Sequence, residues 1–280
     1  MEFTINRDVF LKSLSHAYGV IEKKNTLPIL SNVLIEAKNS KIKITATDLD
    51  LIYSEEIPIE NLINEGTTTT SASILYDILR KIESGAKVEL SLQSTNKLKL
   101  VSGKSKFNLL CISSDTFPLS DEDIKQKNFE VSSQELLKLL NKTKISISND
   151  ETRHYLNGIY MHKTNLNNKS FLTGVATDSH RLSSSSLEID PNISFEPVIL
   201  PKKTIFQLVS LLEQGTSVIK ISNNKSKIKF ETDNGVLISK VIDGRFPDYT
   251  KVIPQNNEKV LEIKLNEFKN SIERVTTVSS

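Results

Sequence analysis

Cysteine occurs once in the 280 residues, tryptophan not at all, methionine twice and glycine nine times. With Cys111 alone no internal disulfide can form, and a zinc site built on thiolates is excluded. The four histidines (His16, His154, His162 and His180) are scattered without metal-ligand spacing, so no metal is expected. Scarce glycine leaves neither a Walker-type nor a Rossmann-type phosphate loop, and no cofactor is expected. No apolar run approaches the ~18 residues that a membrane span needs. The opening Met1-Glu2-Phe3-Thr4-Ile5-Asn6 lacks the basic stretch and apolar core of a secretion signal. A cytoplasmic protein with no membrane partner is therefore expected. The net charge of +2 points by itself to no particular partner.

Against these absences stands an internal repeat. Phe3-Thr4-Ile5 leads to Phe10-Leu11-Lys12-Ser13-Leu14, Phe129-Glu130-Val131 leads to Leu136-Leu137-Lys138-Leu139-Leu140, and Leu261-Glu262-Ile263 leads to Phe268-Lys269-Asn270-Ser271-Ile272. Each reads as a short alternating strand, a polar break, and a helix with apolar residues at i and i+4. Ala46-Thr47-Asp48 recurs as Ala176-Thr177-Asp178, and the Phe-Pro of Asp115-Thr116-Phe117-Pro118 recurs in Gly244-Arg245-Phe246-Pro247, at nearly the same period.

Inside each copy the half-motif returns. Lys41–Ala46 alternates as a strand, Ser73 caps a second helix running to Arg80, and strands follow at Val88–Leu92, Leu98–Leu100 and Phe107–Leu109. In the second copy the second helix spans Lys202–Leu212 after Pro201, with strands at Val218–Ile221 and Ile228–Phe230. The alternation gives each sheet one wet face and one covered face. The expected class is α+β: tandem domains, each two strand-helix-strands units, with helices on one side of antiparallel sheets. The boundaries are 1–125, 126–256, and an incomplete third copy from 257 to 280, which is read as a truncated domain too short to bury a core alone.

Charge is unevenly shared. The helical windows 7–24, 73–87, 133–144, 201–213 and 264–274 hold 15 Lys and Arg against 8 Asp and Glu, so they carry +7 and the remainder −5. Helices gathered on one side would make that side basic, and a basic face attracts phosphate without reading bases. The alternative is that these lysines are ordinary solvated surface.

Five segments carry a family resemblance: Asn25-Thr26-Leu27-Pro28-Ile29-Leu30, Thr45-Ala46-Thr47-Asp48-Leu49, Arg153-His154-Tyr155-Leu156-Asn157-Gly158, Ala176-Thr177-Asp178-Ser179-His180-Arg181-Leu182, and Val241-Ile242-Asp243-Gly244-Arg245-Phe246-Pro247-Asp248-Tyr249. Over essentially its whole length the chain resembles the bacterial DNA polymerase III β subunit, the sliding-clamp family. The resemblance implies three similar domains per chain and a head-to-tail homodimer ring lined by helices. It also implies a processivity scaffold that encircles duplex DNA and has no catalytic residues of its own. The implied partners are duplex DNA and, through short peptide motifs, polymerase subunits, the clamp loader and repair proteins.

The same resemblance implies site residues. DNA contacts fall on Lys24, Arg80, His154, Tyr155, Lys202 and Lys203. A partner-peptide pocket falls on Leu156, Thr177, His180, Arg181, Leu182, Pro247, Lys251 and Val252, where apolar side chains would form a cavity and Arg181 or His180 would anchor a polar group. A subunit interface falls on Ile74, Ile78, Phe107 and Leu109, with Val278 on the opposing surface. Plainer readings stand beside these: an ordinary loop with a structural His, surface lysines, and core packing for Ile74 and Ile78 at i and i+4. Ser179 stands where the family often has Gly, although Ser takes a positive φ poorly. Asp178-Ser179-His180 superficially suggests a hydrolase, but adjacent residues on one turn do not converge as a triad and no nucleophile elbow is present. A monomeric, non-sequence-specific DNA-binding module is the remaining alternative.

Overall fold

The computed structural model describes residues 1–22, 27–119, 124, 128–213, 215 and 217–279. Met1–Arg245 packs as one compact unit and Phe246–Ser280 as another.

The first repeat runs β1 (Glu2–Asn6), α1 (Arg7–Val20), β2 (Asn32–Lys38), β3 (Lys41–Thr47), β4 (Leu51–Pro58), β5 (Asn61–Asn64), β6 (Gly66–Ser71), α2 (Ala72–Lys81), β7 (Lys87–Ser94), β8 (Lys97–Ser102) and β9 (Ser105–Ile112). The second runs β10 (Phe129–Ser132), α3 (Ser133–Thr143), β11 (Gly158–Leu166), β12 (Lys169–Thr177), β13 (Leu182–Ile189), β14 (Val198–Pro201), α4 (Lys202–Leu212), β15 (Val218–Asn223), β16 (Lys227–Glu231) and β17 (Gly235–Lys240). The order is the same in both, except that among the described residues the second has no strand in the place of β5.

Each of the four helices begins directly where a strand ends, and in three of them the junction residue caps the helix. Asn6 accepts from the Asp8 and Val9 amides, Ser71 from Ile74, and Ser132 from Glu135. The cap of α2 is thus Ser71 and not Ser73, because the helix already starts at Ala72; Ser73 Oγ lies 3.1 Å from Ser71 Oγ. At α4 the junction is Pro201, which fixes the entry angle without a side-chain cap.

Antiparallel pairing joins thirteen strands in the order β10-β15-β16-β17-β4-β3-β2-β6-β9-β8-β7-β1-β5, and four more in the order β13-β12-β11-β14. The long sheet crosses from one repeat to the other at a seam between β17 and β4, in register from Gly235↔Glu55 to Ser239↔Leu51. Glu56 N adds a bond to Asn234 O at 2.9 Å and Lys240 N one to Asp50 O at 2.8 Å. On the covered side α2 packs on α1, α1 on α4, and α4 on α3, so the helices form one row across both repeats. The alternating apolar residues of the strands and the i, i+4 apolar residues of the helices fill the layer between, with Phe3, Ile5, Phe10, Leu14, Leu136, Leu140, Ile219 and Phe230 all buried.

Polar groups also tie the repeats together beneath the seam. Gln207 Nε2 donates to His16 O at 2.7 Å. His16 Nδ1 lies 3.0 Å from Tyr53 Oη, and that hydroxyl donates to Glu55 at 2.7 Å. Burial raises the Tyr53 phenol, and the neighbouring Glu55 carboxylate raises it further. The Glu55 carboxylate is itself held below its ordinary value: burial opposes this, but His16, whose Nδ1 lies 3.8 Å away, and the hydrogen bond from Tyr53 prevail.

In the second unit Leu265–Thr276 forms α5, with Leu265, Phe268, Ile272 and Val275 exposed. The strand expected at Leu261-Glu262-Ile263 is not formed. A strand is held by a ladder to a neighbour, and among the described residues these three have no strand partner.

Candidate functional site

The recurring Ala-Thr-Asp marks one turn built twice. At the end of β12, Thr177 Oγ1 accepts from Ser179 N at 3.2 Å and donates to Arg181 O at 2.8 Å. Asp178 Oδ1 accepts from the His180 and Arg181 amides, each at 3.0 Å. At the end of β3, Thr47 Oγ1 accepts from Leu49 N at 3.0 Å, and Asp48 Oδ1 accepts from Asp50 N at 3.0 Å and Leu51 N at 2.7 Å. Such side-chain-to-backbone bonds close a turn that a ladder cannot. The third residue takes a left-handed conformation in both, with φ 79° at Leu49 and 78° at Ser179. Ser179 therefore keeps the backbone shape for which glycine is the usual residue.

Two amide donors, with Arg181 Nε at 2.9 Å, hold the Asp178 carboxyl down to about 2. The Ser179 hydroxyl accepts from Arg153 Nη1 at 2.7 Å. The Asp178 carboxylate and the Ser179 hydroxyl of the apparent hydrolase trio thus have other partners, and the Ser179 hydroxyl is directed at a guanidinium rather than an imidazole. His180 and Arg181 are exposed, Thr177 and Leu182 half-buried, and Leu156 buried at 3%. Pro247, Lys251 and Val252 belong to the second unit and are exposed there. Lys251 lies 3.2 Å from Asp248.

Beside the turn, Glu151–Leu156 forms a 3-10 stretch kinked at Arg153, whose φ −113° and ψ 56° leave the helical region. Arg153 Nε donates to Asp150 Oδ2 at 2.8 Å. Hydrogen bonds from Thr152, then from Arg153, bring the Asp150 carboxyl down to about 2. The next two side chains are His154, exposed, and Tyr155, half-buried, with ring centroids 5.9 Å apart. His154 Nε2 lies 3.2 Å from Asp243 O. A side-chain carbon on Gly244 would stand 3.1 Å from Tyr155 Cβ. Three of the quoted motifs, around 153, 178 and 243, therefore meet in space.

The basic residues differ in how free their charges are. Arg80 is exposed at the end of α2, its guanidinium 5.7 Å over the Tyr76 ring, which stacks on Tyr18 at 4.8 Å. Lys202 bonds Asn149 Oδ1 and stands 6.0 Å from the Phe206 ring, with Lys144 5.6 Å from the same ring. Lys203 is already committed: its ammonium bonds Asp48 Oδ2 and lies 3.4 Å from Glu22, linking α4 to the turn of the first repeat. Lys24 lies outside the described residues. Sequence reasoning missed Lys144 and the half-exposed Phe206; the break in helical apolar spacing at Phe206 was the available signal.

Of the interface candidates, Ile74 is exposed, Ile78 and Phe107 half-buried, and Leu109 buried at 5%. Strand alternation turns the next residue outward, and Leu110 is 84% exposed. Val278, in the second unit, is exposed. No helix among the described residues is long and apolar enough to cross a membrane.

Repeated strand-helix-strands units, sharing a sheet and presenting a common row of helices, define a tandem clamp fold. Residues 1–121 match the DNA polymerase III beta subunit N-terminal domain and residues 130–248 its central domain. The beta sliding clamp of Caulobacter vibrioides is 38% identical over all of the chain, which covers 76% of that protein, and that of Rickettsia felis is 32% identical, with 73% covered. Among solved structures, a Caulobacter crescentus beta sliding clamp superposes with TM-score 0.96 at 38% identity, covering all of this chain and 75% of that one. A Bartonella birtlesii sliding clamp bound to griselimycin gives TM-score 0.95, again at 38% identity and with the same coverage. The chain belongs to the DNA polymerase III beta subunit family, the beta sliding clamps.

Proposed function

We propose that the protein is a non-enzymatic clamp that encircles duplex DNA, tethers the replicative polymerase for processive synthesis, and recruits other replication and repair factors by short peptides. The observation that carries this reading is the seam. β13 occupies in the second repeat the place that β4 has in the first, and β9 the place of β17. Among the described residues β13 pairs only with β12, and β9 meets β6 only at Cys111 and Ile112. Each repeat thus carries a strand edge of the kind that the β4–β17 seam joins. Head-to-tail use of one heterologous joint generates a ring when the rotation closes. Residues 1–125, 126–256 and 257 onward are the proposed clamp domains.

In this reading the helix row faces DNA, with Arg80, Lys202, His154 and Tyr155 as contacts. Lys144 supplements them, and Lys203 serves the joint. Ile74, Ile78 and Phe107 accompany the open edge of β9 as interface residues. The turn with Thr177, His180, Arg181 and Leu182, backed by Leu156, receives the partner peptide. Cytoplasmic residence accords with this role.

Retention on circular DNA tests the proposal. Protein loaded on a nicked plasmid by its clamp loader stays bound through gel filtration at raised salt and is released when the plasmid is cut. Equal loss from circle and linear DNA refutes encirclement and favours simple surface binding, whose affinity falls with salt in proportion to the phosphates neutralised.

A further inference from the structure

We propose that Arg153, through its fork between Asp150 and Ser179, positions the peptide-binding turn and the DNA-contacting loop as one unit, so that duplex DNA and a peptide ligand each raise the affinity for the other. This inference rests on the preceding assignment of the two surfaces and adds their coupling.

The geometry supporting it is local. Arg153 is the residue at which the 3-10 stretch departs from helical angles, so its side-chain anchor sets the direction in which His154 and Tyr155 emerge. Nε is bound to Asp150 on its own loop and Nη1 to Ser179 on the neighbouring turn. A planar guanidinium holds its two oxygens in a fixed fork, a geometry that the point charge of an ammonium does not impose. On the other side, His154 contacts the Asp243 carbonyl and Tyr155 abuts Gly244. Displacing the loop must therefore displace the turn or break the fork.

Ser179 makes the link conditional on its side chain. Its φ of 78° is one that glycine adopts without cost and that carries a penalty for serine. Glycine here would relax the backbone but could not accept from Arg153. Stability and coupling are thereby separable by substitution.

The direction follows from ordering. DNA that fixes His154 and Tyr155 fixes Arg153, and a turn already held by Arg153 loses less freedom when a ligand docks. Linkage requires the reciprocal effect to be equal.

The test uses the full chain, a short linear duplex that permits no topological trapping, and griselimycin as peptide-site probe. Griselimycin affinity is measured by calorimetry with and without saturating duplex, and contact at the turn is verified by its loss in Leu182→Ala. The parent is expected to bind griselimycin about fivefold more tightly with DNA present, the low end of typical coupling. Ser179→Gly and Ser179→Ala should bring this ratio to one, and Arg153→Lys should do the same. A ratio of one in the parent, or an undiminished ratio in Ser179→Gly, overturns the coupling while leaving both surfaces intact. Failure of the parent to bind duplex, or of Leu182→Ala to weaken the probe, instead overturns the assignment of the surfaces and the coupling with it.

Discussion

Replacing Gly158 by alanine probes the packing on which the loop and the turn both depend. Gly158 opens β11 and pairs with Pro201 of β14, and the adjacent Asn157 O accepts from Lys202 N at 3.1 Å. An added Cβ would lie 2.2 Å from the Leu200 carbonyl oxygen and 3.0 Å from its carbon. Main-chain atoms cannot swing aside as a flexible side-chain end can, so β11 and β14 must part. Alanine would gain about 0.5–1 kcal/mol over glycine in an unstrained strand. Against that, losing one or two ladder bonds costs about 1 kcal/mol each, and the overpacking adds about 1–3 kcal/mol. The clash wins, with a net loss of about 1–4 kcal/mol. At roughly 2–4 °C per kcal/mol for a chain of this size, the melting temperature should fall by about 2–16 °C. Calorimetry and urea titration of parent and variant measure this, with Gly85→Ala alongside: at Gly85 nothing lies within 4 Å of the added carbon, and only its φ of 79° penalises the change, by about 1–2 kcal/mol. A Gly158→Ala protein as stable as the parent would refute the reasoning.

Two further outcomes follow from the charges. Lys203→Met should destabilise the protein by about 1–3 kcal/mol, since the Asp48 carboxylate, 7% exposed, loses its cation. It should also change the salt slope of DNA binding less than Arg80→Met does; an equal change would mean that Lys203 is free to meet phosphate. The Asp178 carboxyl lies at about 2 in the folded protein against an ordinary 3.8. The stabilisation it gives the turn is therefore full above pH 3.8 and is lost as the pH falls through 2. Carbon-detected NMR of the Asp178 carboxyl should show a midpoint near 2, and a midpoint near 3.8 would contradict the hydrogen-bonded turn.

What the sequence disclosed was whatever side chains record. The i, i+4 apolar pairs locate α1 and α3, and Pro201 with its following apolar face gives Lys202–Leu212 residue for residue. The duplicated Thr-Asp reflects hydrogen bonds made by those two side chains, so it was legible as a motif, though its left-handed third residue was not. The β4–β17 seam left no trace, because its bonds are main-chain and any extended segment can make them. β5 was missed because Asn61-Leu62-Ile63-Asn64 is too short and polar to alternate. Lys203 could not be told from Lys202 until Asp48, 155 positions away, was seen beside it. The polar cluster of His16, Tyr53 and Glu55 joins a helix to a strand far along the chain, and no local spacing announces it.

The pairing of Gly235–Ser239 with Leu51–Glu55 has a consequence for how such proteins change over time. Main-chain groups are common to every residue but proline, so a joint made from them specifies shape without specifying letters. Substitutions can accumulate along both edges provided each stays extended and its inward side chains stay apolar. Two copies can then drift almost beyond recognition and still dock by the same rule, and the rule is indifferent to whether the docking strands lie on one polypeptide or two.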